Sequence, residues 1–179
     1  LWKRPDVRLG ESSPPPRRFD GSLYLVDDDG VFRRLDTGNG QSNWASGIRA
    51  GDFNVTNIFP LGERIYLRGR KSGAVNRPFR LQSHSRRDGG KLWNYDSRKP
   101  VVSNLVEYDQ RLLGATPSGI ISLGRDHGHR HFVTTVTNSG QTYPVRLRRF
   151  GDRVVFIGEL VIAGVEADTG RTIYRHGFD

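Results

Sequence analysis

The chain has 179 residues, a formal net charge of +9 and no cysteine. The lack of cysteine excludes disulfides, cysteine-ligated zinc and thiol catalysis, and the lack of any run of 18 apolar residues predicts that it has no transmembrane helix. Its 22 glycines and 9 prolines are spread along the whole length, which favours short strands joined by frequent turns over long helices.

The first eighteen residues predict an extended linker rather than part of a core. Three consecutive prolines, Pro14–Pro16, are followed by two arginines, a composition that is typical of a semi-rigid extended segment. Trp2 lies in this linker, so we expect its side chain to be exposed. The chain contains no methionine and begins at Leu1, which favours a processed or excised piece of a longer product.

Beyond the linker, residues 19–179 repeat one plan four times: an apolar or aromatic residue, a short turn and a strand of branched apolar residues. The first apolar residues after the turns are Leu23, Ile65, Leu112 and Val154. Their spacing matches the blade of a β-propeller, which is roughly 40–50 residues long. The sequence therefore predicts an all-β, propeller-type array of about four antiparallel blades, at about 19–50, 51–97, 98–140 and 141–179. Such an array is a closed ring, an open arc or part of a larger propeller.

Each repeat also contains a third predicted strand, a second turn and an aromatic residue. The third strands are predicted at Val31–Leu35, Phe79–Leu81, Gly119–Leu123 and Val161–Val165. The second turns pair Asp36 with Gly38, Asp88 with Gly90, Asp126 with Gly128 and Asp168 with Gly170. The aromatic residues that follow are Trp44, Trp93, Phe132 and Tyr174. On this alignment the first repeat carries extra residues between its turn glycine and its aromatic residue.

These endings resemble pyrroloquinoline-quinone-like (quinoprotein-type) β-propeller repeats, in which a turn glycine precedes a tryptophan that docks against the neighbouring blade. The resemblance implies that Trp44, Trp93, Phe132 and Tyr174 are blade-docking residues. The third and fourth repeats depart from the family, because Phe132 and Tyr174 stand where it favours tryptophan. We expect Trp44 and Trp93 to be largely buried, since each would fill the space between two blades.

The resemblance implies the repeat scaffold and not the activity of the catalytic family members. Catalytic quinoproteins hold their cofactor with an adjacent-cysteine disulfide, acidic calcium ligands and a stacking tryptophan, whereas this chain has no cysteine and three tryptophans. The sequence also lacks a G-x-S-x-G elbow, a glycine-rich phosphate loop and an H-E-x-x-H motif. We therefore expect a non-catalytic member with no enzyme activity, no cofactor and no catalytic residue. A fragment of a quinone-dependent dehydrogenase is an alternative.

Two clusters suggest a metal site, and in both we favour an ordinary turn. The acidic run Asp27–Gly30 would need a carboxylate at the position of Leu25 to form a calcium loop, so a hairpin turn is the simpler interpretation. His127, His129 and His131 would project from one face of a strand, as three zinc ligands could. Arg125 and Arg130 add positive charge that opposes a cation, and we predict no metal site.

The basic residues are 24 arginines against 4 lysines. Arginine prefers planar, bidentate anionic partners such as phosphate and carboxylate, and the candidate anion contacts are Arg68, Arg70, Arg146 and Arg148. A bias of the genome toward arginine codons, with the charge only maintaining solubility, is the alternative. Nucleic acid is a conceivable partner that is weakly supported, because no recognition motif accompanies the charge.

The function that the sequence favours is a non-enzymatic scaffold or sensor module that mediates protein–protein interaction. Outer-membrane assembly scaffolds, sensor domains of receptor kinases and luminal domains of unfolded-protein sensors resemble this repeat type, which implies an extracytoplasmic or secreted location. A structural component that contacts an anionic polymer or surface through arginine is an alternative. Because an open array leaves two terminal faces uncovered, we expect self-association or docking on a separate protein chain.

Overall fold

The computed structural model describes residues 3–44, 48–49, 53–137 and 145–178. These residues form sixteen β-strands and no helix, and the strands make four antiparallel sheets of four strands each. The all-β, propeller-type prediction is therefore confirmed. No helix able to span a membrane occurs among the described residues. Trp2 and the expected repeat boundaries at 50/51 and 140/141 lie outside them.

The strands follow one another in chain order. The first sheet contains β1 (Arg17–Phe19), β2 (Ser22–Val26), β3 (Val31–Asp36) and β4 (Ile48–Arg49). The second contains β5 (Phe53–Leu61), β6 (Arg64–Lys71), β7 (Phe79–Ser85) and β8 (Lys91–Ser97). The third contains β9 (Leu105–Tyr108), β10 (Arg111–Thr116), β11 (Gly119–Gly124) and β12 (Arg130–Thr135). The fourth contains β13 (Arg146–Phe150), β14 (Arg153–Ile157), β15 (Val161–Glu166) and β16 (Thr172–Gly177).

Every sheet is a meander, in which each strand pairs with the strands before and after it in the chain. The chain divides into two compact units, Leu1–Arg98 with the first two sheets and Lys99–Asp179 with the last two. In the first unit, buried residues of both sheets form one core that includes Tyr24, Phe32 and Ile65. In the second unit, the core contains Leu113, Val154 and Phe156 among others.

The first hairpin of each sheet has a two-residue loop, as the register of the flanking strands shows. The first loop residue has a positive φ in all four cases: Asp20 at 47°, Gly62 at 51°, Asp109 at 49° and Gly151 at 60°. Tight hairpin loops require this conformation because it matches the twist of the paired strands. Glycine and aspartate tolerate it better than most residues, which explains why these types occupy the four repeated turns.

The amino-terminal segment differs from the predicted linker. The first strand already begins at Arg17, and the residues before it contact the first sheet. The Arg4 guanidinium donates to the carbonyl oxygen of Gly40 over 2.7 Å, and the amide of Asp28 donates to the carbonyl of Arg8 over 2.9 Å. Because hairpin loops leave backbone groups unpaired, a polar extended segment can lie along them and satisfy these groups.

The residues just before the third sheet are bonded to it as well. Its first strand, β9, begins at Leu105, and the amide of Val102 donates to the carbonyl of Ala115 on β10 over 2.7 Å.

Candidate protein-interaction site

The hairpin between the third and fourth strands of every sheet has the same hydrogen-bonded geometry. A glycine amide donates to the carbonyl four residues earlier: Gly40 to Asp36 (2.9 Å), Gly89 to Ser85 (2.8 Å), Gly128 to Gly124 (2.8 Å) and Gly170 to Glu166 (3.0 Å). These four glycines have φ values between 69° and 77°, and residues other than glycine rarely adopt a backbone conformation in this region. An aromatic residue follows each of them by four positions.

This geometry corrects the alignment that the sequence suggested. The equivalent glycines in the first two repeats are Gly40 and Gly89, not Gly38 and Gly90. The first repeat therefore has no extra residues before Trp44. Gly38 has another role, since its amide donates to the Asp36 carboxylate over 2.8 Å inside the same turn.

A further backbone hydrogen bond joins this hairpin to the first hairpin of the same sheet. The residue after the third strand donates its amide to the first hairpin loop: Thr37 to Gly21 (3.0 Å), Arg86 to Glu63 (2.9 Å), Arg125 to Gln110 (2.8 Å) and Ala167 to Asp152 (2.9 Å). Both turns are thereby held together at one end of the sheet. The aromatic residue that follows the turn between the third and fourth strands is thereby placed at the same position in every repeat.

Trp44 and Trp93 are 4% and 7% exposed, so the predicted burial of both tryptophans is confirmed. Trp44 lies in the core between the first and second sheets, with its ring centre 5.0 Å from that of Phe32. Trp93 on β8 contacts Tyr66, at 5.9 Å between ring centres.

Phe132 shows how an aromatic residue of one sheet contacts the turn of the next. A Cβ atom on Gly170 would lie 2.5 Å from the Phe132 ring, so the ring rests directly on the glycine. On the same turn, the Thr134 hydroxyl donates to the Gly170 carbonyl over 2.5 Å. Arg111 forms a 2.5 Å ion pair with Asp168. We call Arg111, Phe132 and Thr134 the turn-binding set of the third sheet.

Tyr174 differs from the other three aromatic residues, because it is 45% exposed. Its ring covers Gly164 on the neighbouring strand of its own sheet, and no described residue buries the rest of the ring. The residue that was predicted to dock on another blade therefore has a free surface here.

Tyr174 belongs to an exposed apolar surface on the fourth sheet. We define the outer face of this sheet by the alternate residues that share its side: Arg146, Arg148, Phe150, Arg153, Val155, Ile157, Ile162, Gly164, Glu166, Tyr174 and His176. Phe150 is 63% exposed and Ile157 is 37% exposed. The opposite side of the sheet carries the core residues Val154 and Phe156.

The third sheet has an equivalent face, one repeat earlier in the sequence, that is covered by the fourth sheet. Ala115 stands where the fourth sheet has Ile157, and it is fully buried. Tyr108 and Phe132 are partly buried against the core that both sheets share, and Arg149 lies over the Tyr108 ring at 5.0 Å. The outer face of the fourth sheet is thus equivalent to the surface with which the third sheet binds the fourth, but it is exposed.

The four predicted anion contacts fall into two groups on different units. Arg68 donates to the side-chain oxygen of Asn57 and lies over the Phe59 ring at 5.2 Å, so its charge is partly engaged. Arg70 lies over an aromatic ring in the same sheet. Arg146 and Arg148 are exposed on the outer face and form no ion pair with another described residue.

The three clustered histidines contact one another rather than surrounding a cavity. The ring centre of His127 lies 4.6 Å from that of His129 and 5.9 Å from that of His131. The His127 Nδ1 atom accepts the amide of His129 over 3.1 Å. No group of histidine or acidic side chains in the described ranges is arranged to hold a metal ion.

The acidic run at 27–30 forms a hairpin turn. Asp27 is buried, accepts the amide of Val31 over 2.8 Å and pairs with Arg33 at 2.7 Å. Gly30 supplies a φ of 71°, as the turn interpretation predicts.

Sequence reasoning missed His84, a buried histidine between the first and second sheets. It is 1% exposed, and its ring lies 5.4 Å from Phe32. Its Nδ1 atom is 2.9 Å from the Gly89 carbonyl, and its Nε2 atom is 3.2 Å from the Gln82 side chain. Burial lowers the pKa of His84, and Lys91 lowers it further, while the hydrogen bond to Gly89 opposes the shift.

Acidification should destabilise the protein through His84. A folded-state pKa below the unfolded value of about 6.5 means that the unfolded chain takes up the proton first. Stability is therefore full above about pH 6.5 and falls as the pH drops toward the folded-state pKa. Urea midpoints measured at about pH 7.5 and about pH 5 should differ less in His84→Gln than in the wild type. His176→Gln, at an exposed site, is the control and should keep the wild-type difference, whereas an unchanged difference in His84→Gln would contradict the assignment.

Four four-stranded meander sheets with the same turns in each define a β-propeller-type fold. No protein-family model matches the sequence, and no curated protein matches it either. Solved structures do share the fold. BamB from Moraxella catarrhalis is 13% identical with a TM-score of 0.61, covering 90% of this chain and 47% of that one.

Two further solved structures are similar to the same degree. Quinohemoprotein alcohol dehydrogenase ADHIIG from Pseudomonas putida HK5 is 13% identical with a TM-score of 0.66, covering 91% of this chain and 34% of that one. The computationally designed protein Ika8 is 14% identical with a TM-score of 0.66, covering 92% of this chain and 48% of that one. The chain thus spans about half the length of BamB and Ika8, and about a third of the dehydrogenase.

Proposed function

We propose that the protein is a non-enzymatic, propeller-type scaffold or sensor module, and that the outer face of its fourth sheet binds a protein partner. The observation that carries this proposal is the exposure of Phe150, Ile157 and Tyr174 on one face. Apolar residues grouped on a single face mark interaction surfaces more often than scattered ones do. The third sheet uses the same positions to bind the fourth, which supports a sheet-binding role.

Two carboxylates of the described residues are held in the charged form by neighbouring arginines. The Arg4 side chain lowers the pKa of Asp6 to about 2. Arg171, followed by Thr169, lowers the pKa of Glu166 to about 2. Carboxylates stabilised in the charged form by arginine are ion pairs, whereas a general base needs a pKa near neutrality.

The residues also fit a quinone cofactor poorly. The chain has no cysteine from which to build the adjacent-cysteine disulfide that the resemblance would require for a catalytic member. The similarity to a quinohemoprotein alcohol dehydrogenase is therefore one of fold. The resemblance to assembly scaffolds and sensor domains supports an extracytoplasmic location for this chain.

Photo-crosslinking in the cells that make the protein tests this proposal. A photoreactive phenylalanine analogue is placed at Ile157 or Tyr174, and at Val75 as the matched control, because Val75 is exposed but lies outside the outer face. We expect a discrete protein adduct from positions 157 and 174 and none from position 75. Dye-reduction assays with added pyrroloquinoline quinone, calcium and primary alcohols should show no turnover.

Two results would overturn the proposal. The first is the absence of any protein adduct from positions 157 and 174, or equal adducts from all three positions. The second is quinone-dependent oxidation of alcohols by the purified protein, which would assign the chain to the dehydrogenase class instead.

A further inference from the structure

A cavity of about 360 Å³ lies in the first compact unit, between the amino-terminal segment and the first two sheets. Its walls are residues 12–14 of that segment, residues 26–28 and 30 of the hairpin between β2 and β3, residues 53–56 of β5, and Arg70 of β6. Sites for small molecules span roughly 300–1,000 Å³. The cavity is at the small end of that range, so it fits a ligand the size of an amino acid rather than that of a large cofactor.

One side of the cavity is apolar. Val26, Phe53 and Val55 belong to the core between the first two sheets, and each is at most 5% exposed. Pro14 of the amino-terminal segment is also buried. The surface that these side chains still present lines the cavity, so an aliphatic group fits this side better than a charged group does.

Two lining side chains of opposite charge are available for a ligand. Arg70 is exposed, and its guanidinium lies over the Phe79 ring at 5.3 Å but forms no ion pair within the described ranges. One carboxylate oxygen of Asp28 accepts the Ser13 hydroxyl over 3.1 Å, and no described residue donates to the other. The cavity therefore has a cation and an anion that both lack a counter-charge.

The neighbouring acidic residue, Asp27, is not available in this way. One of its oxygens accepts the amide of Val31 and the other pairs with Arg33. Asp28 is thus the single carboxylate of the lining that can bind a ligand, whereas a calcium site needs several oxygen ligands. An ammonium group, which one carboxylate can pair, fits this position better than a metal ion.

Asn54 adds a neutral polar group beside the arginine. It lies directly opposite Arg70 in the register of β5 and β6 and is exposed. Its side-chain amide has two N–H donors, and no described residue bonds to it. Arginine and an amide donor together can bind both oxygens of a carboxylate.

We infer that the cavity binds a free α-amino acid with an aliphatic side chain. The ammonium group of the ligand pairs with Asp28, its carboxylate bonds to Arg70 and Asn54, and its side chain packs on Phe53 and Val55. A ligand that fills the cavity covers both protein charges, and covering a charge without a counter-charge is costly. A zwitterion supplies both counter-charges, whereas a neutral sugar of the same size supplies neither.

This site is separate from the proposed partner surface and goes beyond the proposed function. The cavity lies in the first unit, and the outer face belongs to the fourth sheet in the second unit. A scaffold with such a cavity would also detect an amino acid.

An NMR titration of the full chain with valine and two analogues tests the inference. Valinamide lacks the carboxylate, and N-acetylvaline lacks the ammonium group. We expect millimolar valine to shift the amide signals of Gly30, Asn54 and Thr56. Each analogue should bind about tenfold more weakly, since it loses a hydrogen bond between charged groups. Glycine should bind about fourfold more weakly or worse, because it lacks the buried aliphatic group.

Variants assign each end of the ligand to one side chain. Arg70→Gln should show no preference for valine over valinamide, and Asp28→Asn should show none for valine over N-acetylvaline. Each variant should keep the other preference. Arg77→Gln and Asp29→Asn are the matched controls, because both residues are exposed and neither belongs to the lining; they should keep both preferences. All four sites are exposed, so each variant should give the NMR spectrum of a folded protein.

The inference is wrong if millimolar valine causes no signal shifts, or if the wild type binds valine and both analogues equally. It is also wrong if N-acetylvaline binds as tightly as valine, which would show a simple anion site at Arg70. Equal losses in Asp29→Asn and Asp28→Asn would contradict the assigned ammonium position. None of these results affects crosslinking from positions 157 and 174, so the proposed function would stand.

Discussion

Trp44→Ala should lower the free energy of unfolding by about 3–5 kcal/mol, the range observed when a large buried aromatic residue is truncated. The indole is 4% exposed and contacts Phe32 and Tyr24 in the core between the first two sheets. Its removal would leave a cavity that paired strands cannot close without breaking their register. Urea unfolding followed by fluorescence and circular dichroism measures the change.

The matched control is Leu92→Ala on β8, because this leucine is 48% exposed. It should change the stability by less than about 1 kcal/mol, as most substitutions at exposed sites do. Similar losses in both variants would show that Trp44 does not fill the space between the sheets.

Gly170→Ala should destabilise the protein by about 2–5 kcal/mol, through two effects that add. A side chain at a φ of 77° costs about 1–2 kcal/mol, and inserting a Cβ against Phe132 and Thr134 costs about 1–3 kcal/mol more. Urea unfolding again provides the measurement.

Gly30→Ala separates the two effects. Gly30 has a similar φ of 71°, but a Cβ there would meet no atom within 4 Å, so only the backbone strain applies. Gly170→Ala should be the more damaging change, and a further Phe132→Ala substitution should cost less in its presence than alone. Equal effects of the two glycine substitutions would contradict the docking of Phe132 on the turn.

The repeat was predictable because short stretches of sequence determine each of its hairpins. Each hairpin needs a residue that tolerates positive φ between two runs of branched apolar residues, and both signals recur in every repeat. The burial of Trp44 and Trp93 followed from their repeat positions. The turn alignment was wrong by two residues at Gly38 and by one at Gly90, because several glycines stand close together and only the backbone shows which has the positive φ.

Other features depend on contacts that a sequence pattern does not encode. Tyr174 is 45% exposed, whereas Phe132 at the equivalent position packs on Gly170 of the fourth sheet, and no local signal in the sequence distinguishes the two. Gln82 and His84 lie two residues apart on β7, a spacing that is typical of polar side chains on the solvent-facing side of a strand. Both are nevertheless buried, because the first sheet packs on them. Arg4 bonds to Gly40, which is distant in sequence, so composition alone predicted a free linker.

The meander order of the strands also has a consequence for how the chain folds. Since every strand pairs only with its neighbours in sequence, the loops that must close are short and the entropy lost in closing them is small. Domains rich in such local pairings fold faster than β-sandwiches whose strands pair across the chain. During synthesis, each sheet can form as soon as its fourth strand has left the ribosome, so few unpaired strand edges accumulate at any time.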